Sequence, residues 1–569
     1  MRASTIIGVS LAFVALPVAP MTAGADPAAT PRRAAVDRSV GTVPAQAALS
    51  GADVRSGGLV GLGSNDLKRW ALLERSAEAA AVGGPNYELE CTASGRRRNL
   101  NLDCDHPFLP KNEPHIEVDP EDPDHMIASA NDYESCCDQF YTTFDGGRTW
   151  AVGDMSTIEE GRIGSDPVTT FDPVTDTAIH SSLNFIVTEE GLTAEGDVVV
   201  SRSHDGGVTW ERAIQVADGE GDDDDPVQIF NDKEWIVTDV DPDSPFYGRT
   251  YLTWSRFLAH SGVYVESPIW ESHSDDGGRT WSPPQEISGS NARYCTFQDA
   301  GPGGECDQDQ FSVPTVAPDG TVYVAFLNEQ HEAAWEPGEV FEDQYLVVRS
   351  TDGGETWSDP VHVTDMEDGS RDYPMNVDGR QTLTGYQARV NAAGNIVAHP
   401  RTGQLFLVFA DNRNGRHDVD RPVTDTDVFL TTSRNGVRWS RPRAVSTAAR
   451  DQWFPWVDVD PATGSVGVIF HDRSYSWNPD LYHTTLAERS GGSWRMRRLS
   501  TEPSDPTRSL FFQAEVPGCF KCATFFGDYI GLAYGSNGKA NTVWTDMRRF
   551  VRIDEENSGR TENIFFRRV

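Results

Sequence analysis

One eight-residue segment recurs along the chain and limits the fold more than any other feature. Thr143-Phe-Asp145-Gly146-Gly147-Arg148-Thr149-Trp150 returns as Ser203-His-Asp205-Gly-Gly207-Val-Thr209-Trp210. It returns again as Ser274-Asp-Asp276-Gly-Gly278-Arg-Thr280-Trp281 and as Ser350-Thr-Asp352-Gly-Gly354-Glu-Thr356-Trp357. A shortened copy reads Ser433-Arg-Asn435-Gly436-Val-Arg-Trp439, and an eroded one Ser490-Gly-Gly-Ser-Trp494. The Asp is a short acceptor that closes a turn on backbone N–H groups a few residues on. The glycines allow positive φ, and the Trp offers a broad apolar face to the next element. Recurrence of this kind marks an array of similar supersecondary units.

Apolar, β-branched runs flank the copies: Asp197 to Ser201, Gln344 to Arg349 and Thr426 to Thr431 before the turns, and Arg249 to Trp254, Thr321 to Phe326, Gln404 to Phe409, Ser465 to Phe470 and Asn541 to Thr545 further off. These read as strands separated by turn residues. Each period of about 50 to 80 residues holds roughly four short strands, which is a propeller blade. First strands begin near Asn112, Ser165, Asn231, Gln310, Tyr386, Asp451 and Phe526. The expected fold is therefore all-β: a seven-bladed β-propeller over residues 106–569, or six-bladed if one candidate is an insertion. Residues 26–105 stand outside the repeat as a short extension, with one helix expected from Asn65 to Ala80.

Residues 1–25 have the layout of a secretory signal peptide: Arg2, an apolar stretch from Ile6 to Pro20, and the small residues Ala23-Gly24-Ala25. No stretch is long enough to span a bilayer as a helix. The eight cysteines all follow that segment, as expected of a secreted, disulfide-bonded chain. Local pairs are expected: Cys91 with Cys104, Cys295 with Cys306, Cys519 with Cys522, and the adjacent Cys136 and Cys137. The formal net charge of −39 argues against nucleic acid and anionic lipid as partners. A monomer is expected.

The S-x-D-x-G-x-T-W turn resembles the Asp-box, or BNR repeat, of sialidases and other sialidase-like propellers, over roughly residues 110–569. The resemblance implies a propeller whose Asp-box turns are structural and lie on the rim away from the site. Sialidases open their first blade with an F/Y-R-I-P motif; the comparable stretch here, Asn112-Glu113-Pro114-His115-Ile116, has Asn at the Arg position, and Arg162-Ile163 lacks the Pro.

In a four-stranded meander, first-strand starts and second-strand ends share the face opposite the repeated turn. First-strand starts carry Glu113, Asp166, Asp232, Gln310, Gln387, Gln452 and Asp528, acids that can cap the channel or hold an ion there. Second-strand ends carry Asp132, Arg256, Glu329, Asp411 with Arg413, Asp472 with Arg473, and Asp546 with Arg548. Glycoside cleavage needs two carboxyls across one bond. The candidate acids are Glu329, Asp132, Asp411 and Asp472. Arg413, Arg473, Arg548, Arg256 and Tyr386 are the candidate substrate-binding side chains, the arginines able to fork onto a carboxylate or sulfate. Equally, the repeated Asp/Arg pairs can tie blades together. No cofactor is required; calcium is a possible ion for the acidic runs Asp222–Asp225 and Asp418, Asp420, Asp425, Asp427. The function expected is glycoside hydrolysis of an extracellular glycan, acidic or not. The alternative is a non-catalytic propeller that binds glycan or protein.

Overall fold

The computed structural model describes residues 87–95, 98–103, 110–133, 137–159, 162–188, 191–221, 227–261, 263–298, 303–336, 342–377, 379–418, 420–490, 492–511, 524–552 and 558–569. The segments read as a signal peptide and as a helix at 65–80 lie outside them.

The described residues are built of antiparallel strands, apart from the 3-10 turn Pro506–Arg508. The unit is a four-stranded meander. Lys111–Val118, Met126–Asp132, Asp138–Thr143 and Thr149–Met155 pair in order, with Tyr87–Ser94 added at the outer edge. A nine-stranded sheet consists of two such meanders, starting at Arg162–Asp172 and Val227–Thr238 and joined by one parallel pairing of Phe230 with Gly196. Four-stranded sheets begin at Asp309–Val316, Ile396–Ala398, Gln452–Val459 and Gly531–Tyr534. Many inner strands are buried along their whole length, as Val322–Asn328 is. They are covered on both faces, so they read as continuous apolar runs rather than as alternation.

The first strands of successive meanders touch one another, and Gly531–Tyr534 touches Lys111–Val118, so the chain of contacts closes on itself. The result is a propeller-like ring. The last sheet is completed from far upstream: Leu100–Asn101 pairs with Phe565 and Phe566 of Asn563–Arg568. Residues expected to stand outside the repeat thus supply two strands. Both cover outer edges that would otherwise present unpaired backbone groups. The strand expected near Tyr386 starts instead at Ile396, because the preceding segment bonds irregularly, with Arg389 N–H donating to Thr524 and Thr382 N–H to Pro374.

The repeated turns share one hydrogen-bond pattern. Asp145 Oδ1 accepts from the N–H of Arg148 and Thr149, both at 2.9 Å, and Oδ2 accepts from Thr149 Oγ1 at 2.7 Å. Asp205, Asp276 and Asp352 repeat the Thr contacts at 2.6 to 3.0 Å. The bond from Thr356 holds the Asp352 carboxyl below its usual value. The second glycine of each turn sits against the preceding sheet. A Cβ on Gly147 would lie 2.2 Å from Phe566 and on Gly207 2.4 Å from Ile127; on Gly436, the single glycine of the shortened copy, it would lie 2.3 Å from Tyr323. The motif therefore sets the approach of one sheet to the next as well as the turn. Cys295 and Cys306 form a disulfide, and Cys91 and Cys137 are disulfide-bonded too. Cys104, Cys136, Cys519 and Cys522 lie outside the described residues. No helix of the described residues is long and apolar enough to cross a membrane.

Candidate functional site at the axis

At the other end of the inner strands, the pairing slips one register between Asn112 and His115, Ser165 and Val168, Asp232 and Trp235, Gln310 and Val313, and Trp453 and Trp456. Each slip carries one left-handed non-glycine residue: Glu113 (φ 55°), Asp166 (57°), Lys233 (54°), Phe311 (56°) and Phe454 (51°). Gly527 (φ 92°) precedes Asp528 at the start of the last sheet. A bulge re-aims a side chain relative to its sheet. Holding a non-glycine residue this way costs on the order of 1–3 kcal/mol each.

These residues converge. Lys233, Phe311, Gly394, Trp456, Asp528 and Tyr529, from different sheets, line one narrow cavity. Its floor is aromatic: Trp235 lies 4.6 Å from Trp456 and 5.3 Å from Tyr529 between ring centroids. The Lys233 ammonium stands 3.7 Å over Tyr529 and 4.3 Å over Trp235, and Nζ has no hydrogen-bond partner among the described residues. Lys233 is 5% exposed. Arg389 donates from Nη2 to Asp528 Oδ2 at 2.7 Å and lies over Phe525, while its Nε and Nη1 are unpartnered.

The acids form a chain. Glu113 Oε1 accepts from the Asp528 N–H at 3.1 Å, and Oε2 accepts from Asn131 Nδ2 at 2.6 Å. Asn131 Oδ1 in turn accepts from the Asp166 N–H at 2.7 Å. Asp232 accepts from Gln310 Nε2 at 3.1 Å. Burial, then the charges of Asp166 and Asp528, push the Glu113 carboxyl well above its usual range. Burial and Asp166 push Asp232 up to about 8. Burial lowers Lys233 against the opposing pull of Asp166 and Glu113. Lys233 and Asp528 thus line the cavity, and Glu113 and Arg389 reach it through their hydrogen bonds to Asp528.

The residues singled out from sequence are distributed differently. Asp132 accepts from Lys111 Nζ at 2.7 Å in a buried pair. Asp411 is gripped by Arg413, Nε to Oδ1 at 2.8 Å and Nη2 to Oδ2 at 2.6 Å. Arg548 grips Asp546 the same way, at 2.7 and 2.6 Å. Arg413 covers Phe429 and Arg548 covers Phe565, so these two arginines repeat one local arrangement in two sheets. Arg473 pairs with Asp451 at 2.5 Å and lies 4.3 Å over the buried Tyr386 ring, bringing those two candidates together. Asp472 accepts from the Ser474 N–H and Thr485 Oγ1. Arg256 lies over Trp270. Glu329, fully buried, belongs to an acidic nest. Burial and then its charge push Asp343 up to about 8, and the Asp343 N–H donates to Asp368 Oδ1 at 3.0 Å.

Of the acidic runs, residues 222–225 lie outside the described residues. Asp418 accepts from the Asp420 and Arg421 N–H groups, Asp425 from Arg450 N–H and Asp427 from Asn414.

Lys233 and Arg389 escaped the sequence reading, and Glu113, Asp166, Asp232 and Asp528 entered it only as strand-start acids. A signal was present: Pro114, Pro167 and Pro455 follow three of the five left-handed residues, and Pro inside a strand marks a bulge or an edge. Arg389 carried no such mark.

No protein-family model and no curated protein matches the sequence. Solved structures do. A NanB sialidase of Streptococcus pneumoniae is similar at 9% identity, over 78% of this chain and 83% of that one, with a TM-score of 0.39. The Hadza microbial sialidase Hz136 is similar at 14% identity, over 78% and 73%, with a TM-score of 0.39. The GH93 alpha-L-arabinofuranosidase of Fusarium graminearum is similar at 12% identity, over 63% and 88%, with a TM-score of 0.40.

Proposed function

We propose that the chain is a secreted, seven-bladed, sialidase-like propeller with Asp-box turns that cleaves a glycosidic bond in an acidic extracellular glycan at the axial pocket. One observation carries the reading. Two buried basic side chains, Lys233 and Arg389, whose donors lack partners among the described residues, stand beside Asp528 and beside Glu113, whose carboxyl burial pushes well above its usual range.

Glycoside cleavage needs a carboxylic acid to protonate the leaving oxygen and a second carboxylate as nucleophile or base. Burial raises the Glu113 carboxyl, as a general acid requires. In this reading Glu113 is the acid and Asp528 or Asp166 the carboxylate. Arg389 Nε and Nη1, with Lys233 Nζ, take the anionic group of the sugar, and Trp235, Trp456 and Tyr529 supply a stacking surface. The chemistry needs no cofactor. The closed sequence of inner-strand contacts supports seven blades, and the Cys295–Cys306 disulfide fits an oxidising compartment. The same pocket, used without turnover by a monomer that binds an anionic glycan, is the second reading. The depth of the acid favours it, since Glu113 is 3% exposed.

The test is turnover of aryl glycosides, neutral and acidic in parallel, by the wild type, Glu113→Gln and Lys233→Met. Hydrolysis of the acidic set, lost in both variants, is expected. Absence of turnover with retained glycan binding would leave the binding reading. Turnover unchanged in Glu113→Gln would remove the axial site from the chemistry.

A further inference from the structure

Three ligand-type side chains meet in the fourth meander, apart from the axial residues. His331 follows the strand Val322–Asn328, while His362 and Asp365 belong to Val361–Asp365. Residues three apart in a regular strand point to opposite faces. Here Thr364 pairs with Tyr345 and His362 with Leu346, so Val363 is the extra residue of a bulge and His362 and Asp365 share a face. His331 Nδ1 lies 2.8 Å and His362 Nε2 2.9 Å from the same oxygen, Asp365 Oδ1. The three atoms all fall within 4.8 Å of one another.

The surroundings hold this geometry. Tyr294 stacks flat on His362, 4.3 Å between centroids, and meets His331 edge-on at 5.1 Å. Its carbonyl accepts from Gln344 Nε2 at 2.8 Å, and the next residue is tied through the Cys295–Cys306 disulfide. The backbone carbonyl of Asp365 accepts from Arg413 at 3.3 Å. The cluster remains open to solvent on one side: the side chains are 12%, 17% and 45% exposed in the order His331, His362, Asp365.

We propose that His331 Nδ1, His362 Nε2 and Asp365 Oδ1 bind one divalent first-row transition metal, zinc above all, with a further coordination position left to water or an incoming ligand. Two imidazole nitrogens and a carboxylate oxygen are a borderline donor set that suits zinc; calcium takes oxygen ligands. Metal–ligand bonds of about 2.0–2.1 Å in a tetrahedron set donor atoms roughly 3.3 Å apart. Each nitrogen therefore draws back from Asp365 Oδ1 by about half an ångström, and the nitrogens, already within 4.8 Å of each other, settle to the same spacing by side-chain rotation. Three protein ligands with an open position is the arrangement of a reactive or ligand-binding zinc rather than of a closed structural one. The proposal is independent of the glycosidase reading.

The test uses untagged full-length protein, stripped with chelator and dialysed. Calorimetric titration with zinc chloride is expected to give one site per chain, and cobalt to give the intense visible absorption of tetrahedral coordination. His331→Ala and His362→Gln should each weaken zinc by at least about tenfold, with the double variant showing no site. Calcium chloride should give no heat. Metal-free melting temperatures of wild type and variants guard against misfolding, and Asp365→Asn, at the most exposed ligand, gives the same reading if a histidine variant fails to fold. No stoichiometric zinc binding, or binding undiminished in the double variant, overturns the proposal and leaves the trio as a hydrogen-bonded brace.

Discussion

At the Asp-Gly-Gly turns, the left-handed conformation falls to pairs of glycines, with φ of 74° and 83° at Gly146 and Gly147. At the opposite ends of the inner strands it falls to Glu113, Asp166, Lys233, Phe311 and Phe454. Both ends repeat from sheet to sheet. At the turns the Asp carboxylate and the leading Ser or Thr hydroxyl find partners within a few residues, and the backbone conformation is free of the Cβ penalty. At the bulges the same conformation is imposed on side chains that bear charge or large rings, and several polar atoms there lack partners. One end serves construction. The other stores strain where the pocket is, which is where strained backbone tends to gather.

The comparison can be broken or sharpened by substitution at either end. The largest effect is expected at the pocket: Glu113→Gln should lower kcat on an acidic aryl glycoside by about 10²–10⁴-fold, the usual worth of a general acid. Its urea midpoint should fall only slightly, by the worth of about 1 kcal/mol, because the amide nitrogen cannot accept one of the two bonds that Glu113 receives from Asp528 N–H and Asn131 Nδ2. At the turns the order reverses. Gly207→Val would force a side chain into Ile127, 2.4 Å from its Cβ, at φ +84°. It should cost about 3 kcal/mol in urea unfolding with little effect on KM. Asp205→Ala, which frees the N–H groups of Val208 and Thr209, should cost about 1 kcal/mol, like the loss of a helix cap.

The pH dependence separates the two ends as well. Asp232 and Asp343 are raised above their unfolded values, so the stability they contribute is complete below the ordinary carboxylate range and is lost as pH climbs towards about 8. Asp352 is lowered, so its contribution is present at neutral pH and is lost only in acid. Melting temperature should fall from pH 5 to pH 9, and Asp232→Asn should flatten that fall. The smallest effect is expected for Asp166→Gly. Relief of its left-handed backbone should raise the urea midpoint by about 1 kcal/mol while activity drops.

The fold was far more legible than the site, and the reason lies in how each is encoded. The turn is local: Ser, Asp, Gly, Thr and Trp act on one another within eight residues, so the string carries the structure. The inner strands showed as apolar runs for the same reason. The pocket is assembled from short stretches of several sheets, such as Lys233 to Trp235 and Asp528-Tyr529, and no window of sequence joins one stretch to the next. The arginines looked promising because Asp411-Asn412-Arg413 and Asp546-Met547-Arg548 are conspicuous in sequence. That regularity reflects ion pairs satisfied two residues away. Lys233 was passed over because an isolated Lys inside a strand gives no hint that the bulge turns it onto Tyr529. The strands Tyr87–Ser94 and Leu100–Asn101 were invisible as parts of sheets, since their partners lie far along the chain.

The pairing of Leu100–Asn101 with Phe565 and Phe566 sets an order of events. The last sheet lacks its outer strand until the two segments, far apart in the chain, meet. Closing a loop of that length adds little free energy but much time, because loop entropy is spent before the distant contacts repay it. Folding should therefore end in a slow joining step, and during it the exposed edge of Asn563–Arg568 is the place where two copies of the chain are most apt to pair with each other instead of each with itself.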